Sequence, residues 1–154
     1  SGGDTHFCNM YAAYERMPQA LRERLVGMRI KHDATHTSVG DLRVGFDEVS
    51  DPREVPGAPH PIIRTHPESG KRALFLGRRY MAYVLGLSVE DSEALLDEIW
   101  HYAAHDDDCW TQQWKTGDVV LWDNRAVMHR RASFDASERR RMHRTQLIGD
   151  VPFE

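Results

Sequence analysis

Apolar residues recur at helical spacing between Met10 and Val26: Met10, Ala13, Tyr14, Met17, Leu21 and Leu25 fall on one face. Pro18 interrupts that span. Proline is tolerated in a first helical turn but not in a helix interior, so the pattern predicts two short helices, the second opening at Pro18. Residues 33–61 are rich in Gly, Pro, Asp and Ser and read as a long loop. The run "PHPIIRTHPESGKRALFLG" then reads as strand, turn, strand, with Pro67-Glu68-Ser69-Gly70 as the turn. The clearest helix follows Ser88 in "SVEDSEALLDEIWHYAAH". Ser88 is its expected N-cap, with Asp91 three residues on as a capping-box variant. Glu90, Asp91 and Glu93 sit where the helix dipole favours acids. Leu95, Leu96, Ile99, Trp100 and Ala103 form the expected buried stripe. Beyond it come four strand candidates, Cys109–Trp114, Asp118–Trp122, Val127–Arg131 and Arg140–Ile148, separated by turns at Lys115-Thr116-Gly117 and Asp135-Ala136-Ser137.

Early helices followed by closely spaced strands predict a mainly β fold, a barrel or jelly roll with helical additions. A chain of 154 residues is the size of one domain. The net charge of −4 argues against a general nucleic-acid binder. No apolar run is long enough to cross a membrane, and no signal-peptide pattern opens the chain. Cys8 and Cys109 are far apart and lack metal spacing, so they read as reduced thiols in a cytoplasmic protein. The first residues form a Gly-Gly turn, which leads us to expect the C-terminal part of a longer protein.

Charge changes the picture near the end. In an acidic chain, Val127 to Gln146 gathers six arginines around His129 and His143. Such a segment is either a solvated basic hairpin or the lining of an anion site. On a strand from Arg140 to Thr145, Arg140 and Arg144 would share one face about 13 Å apart. Each could hold a separate anion with its planar fork.

"GDVVLWDNRAVMHRR" followed by "RRRMHRTQLIGDVPF", together with "GGDTHFCNMYAAYE" and "HPIIRTHPESGKRALFLG", resembles the TauD/TfdA family of Fe(II)- and 2-oxoglutarate-dependent dioxygenases. The match includes a His five residues after the Asn of WDNR and an Arg eleven residues after that His. The resemblance implies a double-stranded β-helix (jelly roll), here lacking its N-terminal strands, in one domain spanning 1–154. It implies His129 as an iron ligand, Arg140 and Thr5 as partners of the far carboxylate of 2-oxoglutarate, and Arg144 as a clamp for the substrate's acidic group. The implied reaction hydroxylates a small acidic substrate, aryloxyalkanoate- or taurine-like, while 2-oxoglutarate and O2 become succinate and CO2. Neither a nucleic acid nor a membrane is an expected partner, and homo-oligomerisation is left open.

The family's remaining iron ligands form a His-x-Asp pair upstream of the GGDT motif, where this sequence begins. The His-x-Asp present, His105 to Asp107, follows the Ser88 helix and reads as a polar helix terminus. The rival reading is a non-catalytic, anion-binding jelly-roll module without the His-x-Asp ligands. Arg139 and Arg141 read as solvated, Trp122 to Arg125 as support for the strand bearing His129, and Trp110 and Trp114 as core.

Overall fold

A computed structural model of the chain describes residues 2–37, 40–77, 79–135, 137–149 and 151–154. Strand β1 (Thr5–Asn9) runs straight into helix α1 (Met10–Arg16). Asn9 makes that junction: its side chain accepts the Tyr11 and Ala12 N–H groups at 3.0 and 3.3 Å, satisfying two donors left free at the helix start. Helix α2 (Gln19–Arg24) begins after Pro18, which is the cap and not the first helical residue as expected. Met17, the residue before the proline, is extended and ends α1.

Strands β2 (Arg29–Lys31), β3 (Pro59–Pro61), β4 (Ile63–Thr65), β5 (Arg72–Leu74) and β6 (Tyr83–Val84) follow, then α3 (Val89–Ala103), β7 (Cys109–Gln112) and β8 (Val127–Arg131). They form three antiparallel sheets, ordered β7-β1-β8, β3-β2-β6 and β4-β5. The two prolines of β3 sit on an edge strand, where a missing N–H costs no ladder bond. α3 is capped as expected by Ser88, whose Oγ accepts the Asp91 N–H at 3.0 Å. The same hydroxyl donates to the Asp91 carboxylate at 2.7 Å, a variation in which the acid meets the cap's hydroxyl. The core lies between the helices and the β4-β5 and β3-β2-β6 sheets, with Met17, Leu25, Ile63, Leu74, Leu96 and Ile99 nearly or fully sealed from solvent. Truncating Leu96 to Ala is expected to lower stability by about 2–5 kcal/mol in urea denaturation, because the cavity can close only in part.

Among the described residues the structure departs from expectation in three places. Asp118–Trp122 and Arg140–Ile148 form no strand. Their apolar side chains Val119, Leu121, Leu147 and Ile148 stand in solvent, and no neighbouring strand bonds them. A strand forms only where a partner takes up its backbone groups, which alternation alone does not supply. Conversely, β1, β2 and β6 form where no strand was expected. Third, Cys8 and Cys109 are not separate thiols: they face each other across β1 and β7 and are joined as a disulfide. Antiparallel register brings together residues 101 apart in sequence, a pairing that spacing cannot reveal. Of the turn at Asp135-Ala136-Ser137, Ala136 lies outside the described residues; Asp135 accepts the Ser137 N–H at 2.9 Å.

His32, at the end of β2, stacks on His60 with ring centroids 5.3 Å apart and meets Phe75 edge-on at 5.5 Å. Both its ring nitrogens are buried without a hydrogen-bond partner. Burial, aided by the His60 charge, pushes its pKa down to about 4 from 6.5. A folded-state pKa below the unfolded value means that protonation favours unfolding. This contribution is therefore complete above pH 6.5 and lost as pH falls toward 4. Replacing His32 by Phe should flatten the stability profile in that window, as followed by urea midpoints at stepped pH.

Candidate active site

The β7-β1-β8 sheet carries the site. Alternation along β1 puts Thr5 and Phe7 on one face. Opposite them in register stand Arg131 and His129 of β8, and Gln112 and Trp110 of β7. His6 and Cys8 take the other face, where the His6 Nδ1 meets the Thr111 hydroxyl at 2.8 Å.

His129 is framed by aromatic rings. Phe7 stacks on it at 6.0 Å and the Trp122 ring meets it at 5.1 Å. Phe7 also contacts Trp122 at 5.0 Å and Trp110 at 5.4 Å. Arg144 lies with its guanidinium carbon 6.0 Å from the Trp122 ring centre. The rings withdraw the imidazole from water, and Arg144 adds a positive charge nearby; both lower the His129 pKa below the ordinary value. Both causes favour the neutral ring, the form that binds a metal. Arg144→Gln removes the nearby charge and should raise the His129 pKa in the metal-free protein, measured by NMR of the ring; an unchanged or lowered value would contradict the arrangement.

Thr5 is buried, and its hydroxyl accepts the Trp114 indole N–H at 2.9 Å. That contact uses a lone pair and leaves the hydroxyl hydrogen for an acceptor. Just before it, the chain from Gly2 to Asp4 pairs with residues 132–134: Gly3 N–H donates to Ser133 O at 3.2 Å and Ala132 N–H to Asp4 O at 2.8 Å. Arg140 crosses this ribbon and donates from Nη2 to Gly3 O at 3.1 Å. Gly3 has φ +71°, and a Cβ there would lie 2.9 Å from the Arg140 Nε. Both facts require glycine, since a side chain would be strained and would push the guanidinium away. Arg140 is partly buried, while Arg139 and Arg141 are exposed, which separates it from its run.

Thr5 and His129 thus lie on one sheet face with Arg144 beside His129, whereas Arg140 lies over the Gly3 ribbon that leads into β1; both arginines come from irregular chain and not from a strand. His105 and Asp107 stay apart at the end of α3 as a polar terminus, their side chains 3.5 Å apart and largely exposed. Trp110 and Trp114 are not core: Trp110 is exposed on the site face and Trp114 serves Thr5. Trp122, expected as support for the strand bearing His129, packs on that ring, and Phe7, which sequence reading did not single out, stacks on it. The period-two alternation from Thr5 to Phe7 was the available signal, masked by the Gly-Gly opening.

Among the described residues, one trio of potential metal ligands comes together, His66, Glu68 and Asp123, with ligand atoms within 4.8 Å of one another. His129 is not part of it. No helix among the described residues is long and apolar enough to cross a membrane.

Comparison with known proteins agrees with this geometry. The chain is 36% identical over 151 residues to the alpha-ketoglutarate-dependent 2,4-dichlorophenoxyacetate dioxygenase of Burkholderia sp. (strain RASC), covering 97% of this chain and 50% of that protein. It is 36% identical over 153 residues to the enzyme of the same description from Cupriavidus pinatubonensis, covering 98% and 52%. Among solved structures, a taurine dioxygenase from Burkholderia xenovorans superposes with TM-score 0.69 at 31% identity, over 86% of this chain and 41% of that one. AAD-2 in complex with Mn(II) and N-oxalylglycine superposes with TM-score 0.74 at 27% identity, over 90% and 54%. The chain thus spans about half the length of the curated relatives it matches. The model of the family described as taurine catabolism dioxygenase TauD, TfdA matches residues 1–146, and the chain belongs to that family.

Proposed function

We propose that the whole protein is an Fe(II)- and 2-oxoglutarate-dependent dioxygenase that hydroxylates a small carboxylate or sulfonate, forming succinate and CO2. In this reading residues 1–154 belong to one jelly-roll domain whose remaining strands lie outside them. The observation that carries the reading is the placement of His129 and Thr5 on one face of β1 and β8, with Arg144 beside His129 and Arg140 over the Gly3 ribbon that leads into β1.

The side chains suit their assigned guests in chemistry. His129 offers a neutral imidazole, one ligand for iron. Among the described residues His129 belongs to no trio of potential metal ligands, so the family's His-x-Asp pair is assigned to the rest of the whole protein. Arg140 and Thr5 offer a charged fork and a hydroxyl hydrogen, a donor pair suited to a carboxylate. Bound iron would supply the oxygen-activating redox chemistry. This chain's residues bind and orient: Arg140 and Thr5 hold one end of 2-oxoglutarate, and Arg144 holds the acidic group of the substrate. Phe7 and Trp122 cover part of the His129 ring and line the space beside it. The expected cytoplasmic placement rested on reduced thiols, a basis that the disulfide removes.

The test is a panel of aryloxyalkanoates and alkyl sulfonates offered to the whole protein with Fe(II), 2-oxoglutarate and O2. Succinate release that rises with at least one acid, and falls when its acidic group is esterified, is the expected result. No succinate with any acid, and no iron retained, would leave the anion-binding module.

A further inference from the structure

The trio His66, Glu68 and Asp123 has metal-ligand spacing, but both of its carboxylates are already engaged by Arg125. Arg125 donates from Nε and Nη2 to the Asp123 carboxylate at 2.6–3.0 Å and from Nη1 and Nη2 to the Glu68 carboxylate at 3.0 and 2.6 Å. A divalent cation would have to displace this guanidinium. His66 is also committed. Its Nδ1 accepts the Ser69 N–H at 3.2 Å, which places the proton on Nε2, and Nε2 donates to Asp123 Oδ2 at 3.0 Å. The cluster is a closed donor–acceptor network. The two carboxylates supply the acceptors, and Arg125 and His66 supply the donors.

Its location says what it holds. His66 belongs to the turn between β4 and β5, packed against the core, and is buried. Asp123 opens the tight turn that feeds β8, closed by the Ala126 N–H on Asp123 O at 3.2 Å. The Ala126 carbonyl accepts the Met10 N–H at 2.9 Å, so the same turn is tied to the start of α1. The residue before Asp123 is Trp122, whose indole N–H donates to Asn124 Oδ1 at 2.7 Å within this turn. Trp122 packs on His129, which lies three positions past Ala126 on β8. β8 is an edge strand, bonded only to β1 on one side among the described residues. β1 holds its inner side, and the turn before it ties its first residues to the β4-β5 turn and to the start of α1.

We infer that His66, acting through Asp123, is a positioning residue that fixes the Trp122 turn and thereby the place of His129. The inference rests on the reading of His129 as a metal ligand. A shift of about 1 Å in a ligand can abolish ligation geometry, and partners that orient a ligand from outside typically change metal affinity by 10–100-fold when removed.

The test uses Mn(II) titrated into the whole protein, free ion read by electron paramagnetic resonance. His66→Leu removes the donor and keeps an apolar body; His66→Gln keeps an N–H that can reach Asp123. The expected result is about tenfold weaker Mn(II) binding for His66→Leu, the low end of that range, with recovery in His66→Gln. Ile99→Val, a core change that lowers thermal stability without touching the turn, should bind Mn(II) as the parent does. Unchanged affinity in His66→Leu, or an equal loss in Ile99→Val, would overturn the inference. Should His66→Leu not fold, Asp123→Asn carries the same expectation, because it weakens the acceptor for both His66 and Arg125. His129→Ala is the separate control. If it binds Mn(II) normally, the ligand reading of His129 fails; if it loses Mn(II) while His66→Leu does not, only the positioning inference fails.

Discussion

Replacing Arg140 by Met is expected to weaken 2-oxoglutarate binding by roughly 30- to 5,000-fold in the whole protein. The range follows from about 2–5 kcal/mol for truncating one partner of a buried, hydrogen-bonded charge pair, at about 1.4 kcal/mol per tenfold. Three features put the effect on binding and not on folding. Arg140 is the partly buried member of its run; its hydrogen bond goes to Gly3 O, with the guanidinium otherwise 5.9 Å from the Phe134 ring centre; and Met keeps the apolar stem. Arg140→Lys should recover only part of the loss, because an ammonium keeps the charge but cannot form the fork. Isothermal titration of 2-oxoglutarate distinguishes the cases. Equal affinity in parent and Met variant would remove Arg140 from the site. Gly3→Ala should mimic the Met variant in part, since its Cβ would lie 2.9 Å from the Arg140 Nε.

The second large effect belongs to His129. His129→Ala is expected to abolish substrate-dependent succinate release, a loss beyond the 10–100-fold assigned to residues that merely orient a ligand. The fold should survive, because His129 is exposed on an edge strand and contributes ring contacts to Phe7 and Trp122, not core packing. Circular dichroism and thermal midpoint near the parent's, with activity gone, are the expected pair. Retained activity would place the metal elsewhere.

Much of this arrangement was legible in the sequence, for identifiable reasons. β8 is bounded as expected at Val127–Arg131, where β1 takes up its backbone groups, and α3 begins where Ser88 caps it, which local signals decide. Ile63–Thr65 and Arg72–Leu74 pair around the expected Pro67–Gly70 turn for the same reason. What was not legible is long-range. The strand character of Thr5–Asn9 depends on two partners more than a hundred residues away. The Cys8–Cys109 disulfide follows from that register. The tails at Asp118–Trp122 and Arg140–Ile148 have strand-like alternation, yet no described strand lies beside them, so the pattern goes unrealised. At the site, residue types left a basic hairpin and an anion site open and the family resemblance pointed to His129 and the arginines, while the stacking of Phe7 on His129 emerged only from the pairing of β1 with β8.

The most direct test of the central claim is the iron content of the whole protein after anaerobic loading with Fe(II) and removal of excess metal. The account predicts close to one iron per chain in the parent and essentially none in His129→Ala. A parent that retains no iron, or a His129→Ala variant that retains as much as the parent, would contradict it.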